Sequence, residues 1–133
     1  MIVDSSAIAA ILKRETGWER LSRILDSANN VRISAGTYVE ISIVVERWKN
    51  PTLSRRFDEL LASFNVAIEP VTAEQALIAR QAYRDYGKGS GHPANLNFGD
   101  CFSYALAHVT REPILYKGDD FVHTNLRSAL DAR

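Results

Sequence analysis

A chain of 133 residues with 46% apolar and 24% charged residues has the size and mix of one globular domain, spanning residues 1–133, with a real core. Whole-chain disorder is excluded by that composition. Sixteen basic and sixteen acidic residues cancel, so net charge alone points to no nucleic-acid partner, although opposed patches can hide in a neutral total. The single Cys101 excludes an internal disulfide, and one thiolate with three scattered histidines makes a poor zinc set. A reducing cytoplasm is the expected compartment. The opening MIVDSS carries neither a charged n-region nor a long apolar h-region, so no signal peptide is expected. No apolar run approaches the roughly 18 residues that span a bilayer, so no membrane association is expected.

Met1, Ile2 and Val3 form a short apolar run ending at Asp4, long enough for one buried strand. Residues 6–13 (SAIAAILK) are rich in helix formers and predict a helix. Thr16 and Glu19 have capping-box spacing, which predicts a second helix running to about Ala28 with Leu21, Ile24 and Leu25 on one face. Asn29-Asn30 breaks it, and residues 31–34 suit a strand. Residues 38–45 (YVEISIVV) fit two patterns. Val39, Ile41, Ile43 and Val45 alternate as a strand would, whereas Tyr38, Ile41, Val45 and Trp48 match helical spacing. Periodicity does not decide between them.

Pro51-Thr52 marks a break before an amphipathic helix over residues 53–64. Residues 66–71 read as a strand, with Pro70 placing it near a sheet edge. Thr72 and Gln75 again have capping-box spacing and open a helix to about Tyr86. Residues 87–97 (GKGSGHPANLN) form the one long Gly/Pro-rich loop. A helix over residues 99–110, a strand from Pro113 to Tyr116 and a turn at residues 117–120 complete the chain. Strands that alternate with helices predict an α/β fold around a mainly parallel sheet flanked by helices.

In such sheets, sites form beyond the carboxyl ends of the strands. Asp4 ends the first strand, Asp119 follows the last, and Asp100 opens a helix, so three acids from distant segments can converge. Two carboxylates about 6 Å apart repel by roughly 3 kcal/mol at an effective dielectric near 20. A cluster of four therefore needs protonation or a cation. An all-oxygen donor set favours Mg²⁺, with Mn²⁺ as a substitute, over zinc.

Four strings carry a family resemblance: MIVDSSAI at the start, Glu40 isolated in an apolar segment, NFGDCFSYALA around Asp100, and ILYKGDDF near the end. In that order, over essentially the full length, they resemble the PIN domain, specifically the VapC-type toxins of toxin–antitoxin pairs. The resemblance implies a PIN-like three-layer fold. It implies metal-binding acids at Asp4, Glu40, Asp100 and Asp119, with Ser6 ordering the site. It places Glu40 on a helix, and it leaves Asp120 as the alternative fourth acid. The implied activity is Mg²⁺-dependent endoribonuclease cleavage of structured RNA such as tRNA by metal-activated water. The implied partners are a VapB-type antitoxin that covers the acidic crevice, an RNA substrate and a second copy of the chain.

Each acid also has a plainer role. Asp4 suits the N-cap of the next helix, Asp100 suits a capping box with Asn97, and Asp119 and Asp120 suit a turn after Gly118. Glu40 is harder to dismiss, because an acid amid Val39, Ile41 and Ile43 risks desolvation unless something pairs with it. Cys101 reads as a small buried hydrophobe, and His108 and His123 as packing or surface residues. His92 and the basic residues Arg47, Lys49, Arg55 and Arg56 are candidates for RNA contact. Trp18 and Trp48 read as core or dimer-contact residues. The main rival from another class is a catalytically weak PIN-like module that only binds RNA or protein.

Overall fold

The computed structural model describes residues 1–131. Four short strands form one sheet: β1 (Ile2–Val3), β2 (Arg32–Ser34), β3 (Ala67–Glu69) and β4 (Ile114–Leu115). All pairings are parallel, in the order β3-β2-β1-β4. The helices are α1 (Ser5–Leu12), α2 (Trp18–Ser27), α3 (Ala35–Arg47), α4 (Pro51–Ser63), α5 (Ala73–Tyr86) and α6 (Phe98–Thr110). The α/β class and the parallel sheet agree with the sequence, and β3 lies at an edge, where Pro70 put it.

Successive strand residues face opposite sides of a sheet, and the core divides accordingly. Val3 and Leu115 pack with α1–α4, including Ile8, Leu25, Ile41, Val45 and Phe57. Ile2 and Ile114 pack with α5, α6 and Phe121, including Ala82, Leu96, Tyr104 and Leu106. Helices therefore cover both faces, as an all-parallel sheet requires.

Residues 38–45 lie in α3. A strand would have put Val39, Ile41, Ile43 and Val45 on one face. Instead Ile41 and Val45 are buried, while Val39 is 55% and Ile43 49% exposed, because the helical turn rotates alternate residues apart. The helix starts at once after β2, Ser34 capping it by accepting from the Gly36 N–H.

Two helix starts differ from what their spacing predicts. No side-chain cap opens α2: Gly17, at φ 90°, holds the N-cap position, and the Thr16–Glu19 box does not form. A left-handed cap is accessible to glycine at no steric cost. Thr16 is recruited elsewhere, its carbonyl accepting from Lys117 Nζ at 2.9 Å. Only half of the second box forms. Thr72 Oγ1 accepts from the Gln75 N–H, but Gln75 turns its amide to the Pro70 carbonyl. Pro51 starts α4 instead of preceding it, with Asn50 accepting from the Thr52 and Leu53 N–H groups. Proline suits the first helical position because its missing N–H has no helical partner there.

Candidate metal-dependent active site

Strand direction assembles the site. From β1 the chain crosses to β2 and β3 on one side, whereas β4 returns on the other. The crevice between the carboxyl ends of β1 and β4 is thus the topological switch point, where ligands bind in open α/β sheets. Asp4 follows β1 there, its backbone N–H donating to the Leu115 carbonyl. Both acid-bearing helices, α3 and α6, begin at the same edge: α3 leaves β2 directly, and α6 runs back towards the start of β4.

Asp4 is buried, and its carboxylate is heavily bonded. Oδ2 accepts from the Ser6 N–H at 3.0 Å and from Ser6 Oγ at 2.7 Å, while Oδ1 accepts from Ser103 Oγ at 2.5 Å. Ser6 Oγ also accepts from the Lys117 N–H at 3.0 Å. That hydroxyl therefore ties Asp4 to the segment after β4. Asp4 caps α1 as the plainer reading had it, but capping does not exhaust its carboxylate. Burial raises its pKa against the pull of the Ser103 and Ser6 bonds.

Asp100 has the same double character. Its Oδ2 accepts from the Asn97 N–H at 3.0 Å, and Asn97 Oδ1 accepts from the Asp100 N–H at 2.9 Å, a complete capping box. Even so, its pKa is pushed up to about 8. Burial contributes most, opposed by the Asn97 N–H; the charge of Asp4 and the bonding and charge of Asp120 raise it further. Glu40 is half-buried on α3, with Oε1 accepting from Ser5 Oγ at 3.0 Å. Burial raises its pKa, and the charge of Asp4 adds to this. Asp4 is thus the common neighbour that couples electrostatically to both Glu40 and Asp100.

The two acids after Gly118 differ. Asp119 is exposed and acts by charge on Tyr116, whereas Asp120 is partly buried and approaches the carboxyl of Asp100. The sequence put Asp119 first and kept Asp120 as the alternative; in this arrangement Asp120 faces the cluster.

Two glycines set how closely α3 and α6 approach. A Cβ on Gly99 would lie 1.6 Å from Glu40 Oε2, and one on Gly36 would lie 2.4 Å from the Phe102 ring. The Glu40 carboxyl therefore lies in the space that a side chain at Gly99 would fill. Gly99, Ser5, Thr37 and Ser103 contribute to the site and were not singled out in the sequence. Helical spacing held a clue for two of them, because Ser103 is three residues after Asp100 and Thr37 three before Glu40.

Among the described residues, no three Asp, Glu, His or Cys side chains close into a ready-made metal cage. That does not conflict with magnesium, which keeps several waters and commonly takes only one or two protein carboxylates plus substrate phosphate. An all-oxygen set in which burial and the charge of Asp4 raise the proton affinity of Asp100 and Glu40 fits a hard divalent cation.

Other candidates lie elsewhere. Arg47, Lys49, Arg55 and Arg56 are exposed on or beside α3 and α4. Trp48 packs on the core with Lys13 Nζ over its ring, and Arg14 lies over Trp18. Cys101 is buried, its thiol donating to the Asn97 carbonyl and its pKa pushed up to about 11 by burial and by Asp100. That favours the inert thiol over a nucleophile. His92 folds back on its own loop, Nδ1 accepting from the Ala94 N–H and the ring meeting Tyr86 edge-on.

Comparison with known proteins identifies the family and the fold. The PIN domain model matches residues 1–125. Ribonuclease VapC42 of Mycobacterium tuberculosis is 53% identical over 129 residues, covering 97% of this chain and 98% of that protein. The M. tuberculosis VapC20 structure, described as a sarcin-ricin loop cleaving toxin, superposes with a TM-score of 0.72 at 20% identity, covering 94% of this chain and 95% of that one. A toxin–antitoxin complex from Klebsiella pneumoniae gives 0.68 at 15% identity, covering 93% and 92%. The two structures share the fold, and VapC42 adds full-length sequence identity: this chain belongs to the PIN-domain family, within its VapC ribonuclease branch.

Proposed function

We propose that the chain is the ribonuclease toxin of a toxin–antitoxin pair, a metal-dependent endoribonuclease acting on structured RNA such as tRNA. One observation carries the reading. Asp4 and Asp100, from segments 96 positions apart, are both buried at the switch point, and the charge of Asp4 raises the proton affinity of Asp100 and of Glu40, with Asp120 beside Asp100. Such a cluster is unfavourable without a cation to neutralise it.

Asp4 and Asp100 would hold Mg²⁺, or Mn²⁺ in its place, with Glu40 and one of the two acids after Gly118 completing the set. We assign that last role to Asp120 over Asp119 because Asp120 faces Asp100. The cation, when bound, would acidify a water and neutralise charge on the scissile phosphate. Ser6 holds Asp4 to the β4 end. Glu40, oriented by Ser5, is placed to accept a proton from water attacking in line, which would leave a 5′-phosphate and a 3′-hydroxyl.

The partners follow from the same reading. A VapB-type antitoxin would act by covering the acidic edge; the Klebsiella neighbour in fold was solved as a toxin–antitoxin complex. For a second copy we assign the outer cleft between α5 and α6, a space of about 450 Å³. Val71, Ala76, Tyr83, Phe98 and Phe102 line it, Phe98 at its rim and 77% exposed. An apolar knob next to an apolar hollow is what a twofold self-contact requires. No helix among the described residues is long and apolar enough to cross a membrane.

Sequencing of 5′-phosphorylated RNA ends after brief expression of wild type and Asp100→Asn tests the activity. New, discrete ends in the wild type alone are expected. The same ends in both strains would remove the nuclease reading.

A further inference from the structure

Ser103 and Thr37 are fully buried hydroxyls that cap no helix, and burying a hydroxyl is costly unless it is bonded. They bond to each other, Oγ1 of Thr37 lying 3.1 Å from Ser103 Oγ, and Ser103 donates to Asp4 Oδ1. Coordination of a cation requires Asp4 as the carboxylate. Ser103 has one proton, and that proton is then committed to Asp4, so Thr37 must be the donor within the pair. The polarity runs from Thr37 on α3, through Ser103 on α6, to Asp4 at the end of β1.

The bonding pattern limits what Asp4 can still offer. A carboxylate has about four lone-pair sites. Ser6 donates twice to Oδ2 and Ser103 once to Oδ1, and the Ser5 backbone N–H adds a further donor, so Asp4 has little bonding capacity left and Ser103 fixes how its Oδ1 is presented. Ser103 is three residues from Asp100 and Thr37 three from Glu40, so the hydroxyl pair lies one helical turn along from each of those acids. It joins both acid-bearing helices to the strand that bears Asp4.

We propose that Ser103, oriented by Thr37, is a positioning residue that fixes how Asp4 Oδ1 is presented to a divalent cation. This rests on reading the acid cluster as a cation site. Partners that orient a ligating group commonly change metal affinity by about 10–100-fold when removed. Two hydroxyls that merely satisfied each other in the core would change stability and leave affinity alone.

The test is calorimetric titration of the metal-free protein with Mn²⁺, beside urea denaturation, for wild type, Ser103→Ala, Thr37→Val and Thr37→Ser. Ser103→Ala is expected to weaken Mn²⁺ binding by about tenfold or more and Thr37→Val by about threefold, with Thr37→Ser near wild type. Wild-type affinity in Ser103→Ala overturns the proposal, whatever that variant's stability. Should Ser103→Ala not fold, Thr37→Val decides: equal affinity there overturns the proposal, and weakened affinity restored by Thr37→Ser supports it. A wild type that binds no Mn²⁺ overturns it together with the cation site. A wild type that binds Mn²⁺ in this graded way yet cuts no RNA removes only the nuclease reading.

Discussion

The two ends of the parallel sheet treat their carboxylates in opposite ways. At the amino end, Glu112 sits between two cations: Arg32 Nη2 at 2.6 Å and the Met1 amino group at 3.1 Å. Burial alone would raise its pKa, but the Arg32 and amino-terminal contacts together outweigh burial and lower it. At the carboxyl end, Asp4, Glu40 and Asp100 meet hydroxyls, backbone N–H groups and one another, with no cationic side chain among the causes acting on them, and all three are raised. The same residue class is a clamp where cations neutralise it and a repelling cluster where it is buried more deeply without them. The amino end stabilises the sheet; the carboxyl end holds unfavourable charge that a cation would relieve.

The contrast breaks most sharply at the carboxyl end. Asp100→Asn keeps the shape and removes the charge, and RNA cleavage is expected to fall by about a hundredfold or more, measured as initial rate on a total tRNA substrate. Unchanged rates would place the chemistry elsewhere. Gly99→Ala adds a methyl where the Glu40 carboxyl lies. Cleavage is expected to drop by about tenfold or more, with a smaller change in the urea midpoint, because the half-buried Glu40 can swing outward. A fully active Gly99→Ala would show that Glu40 need not stand there. A third comparison separates the paired acids: Asp120→Asn is expected to slow cleavage several-fold more than Asp119→Asn, and the reverse order would reassign the fourth acid to Asp119.

Opposite pH signatures sharpen the comparison. Asp100 has its pKa raised from 3.8 to about 8. Between those values the metal-free folded protein retains a proton that the unfolded chain has lost. Stability at this end therefore falls as pH rises through that window. Glu112 is lowered from 4.5, so its contribution is complete above that value and is lost as pH falls below it. Urea midpoints of chelated protein from pH 4 to 8 should decline towards pH 8, and added Mg²⁺ should flatten the decline. A metal-free midpoint that climbs across that window would contradict the account. The smallest effect is expected from Glu112→Gln, about 1–2 kcal/mol at pH 7, with cleavage rate unchanged. A catalytic defect in that variant would mean that the two ends are not independent.

Much of this arrangement was legible in the residues. Alternation of apolar runs and amphipathic helices specified the α/β class, because strand and helix periods differ. Asp4 stands where a strand ends and Asp100 where a helix begins, and Asn97 and Asp100 form the cap that their spacing allows. Cap chemistry was less secure where competing partners exist. Thr16 and Gln75 both had the right spacing, yet one gave way to Gly17 and the other turned to Pro70. Two side-chain periods overlap in residues 38–45, and packing chose the helix by burying Ile41 and Val45 while leaving Val39 and Ile43 outside.

The sequence by itself determined the element types outside residues 38–45, the short strand ahead of Asp4 and the family to which the chain belongs, since these are written in local runs of residues and in their order along the chain. Only the tertiary structure decided that Asp120 faces Asp100, that Gly99 makes room for Glu40, and that Thr37 and Ser103 reach Asp4. Those relations join residues 20 to 99 positions apart, and no periodicity encodes them. They exist because a parallel sheet brings its strand ends to one edge, where two helices close on each other at glycine.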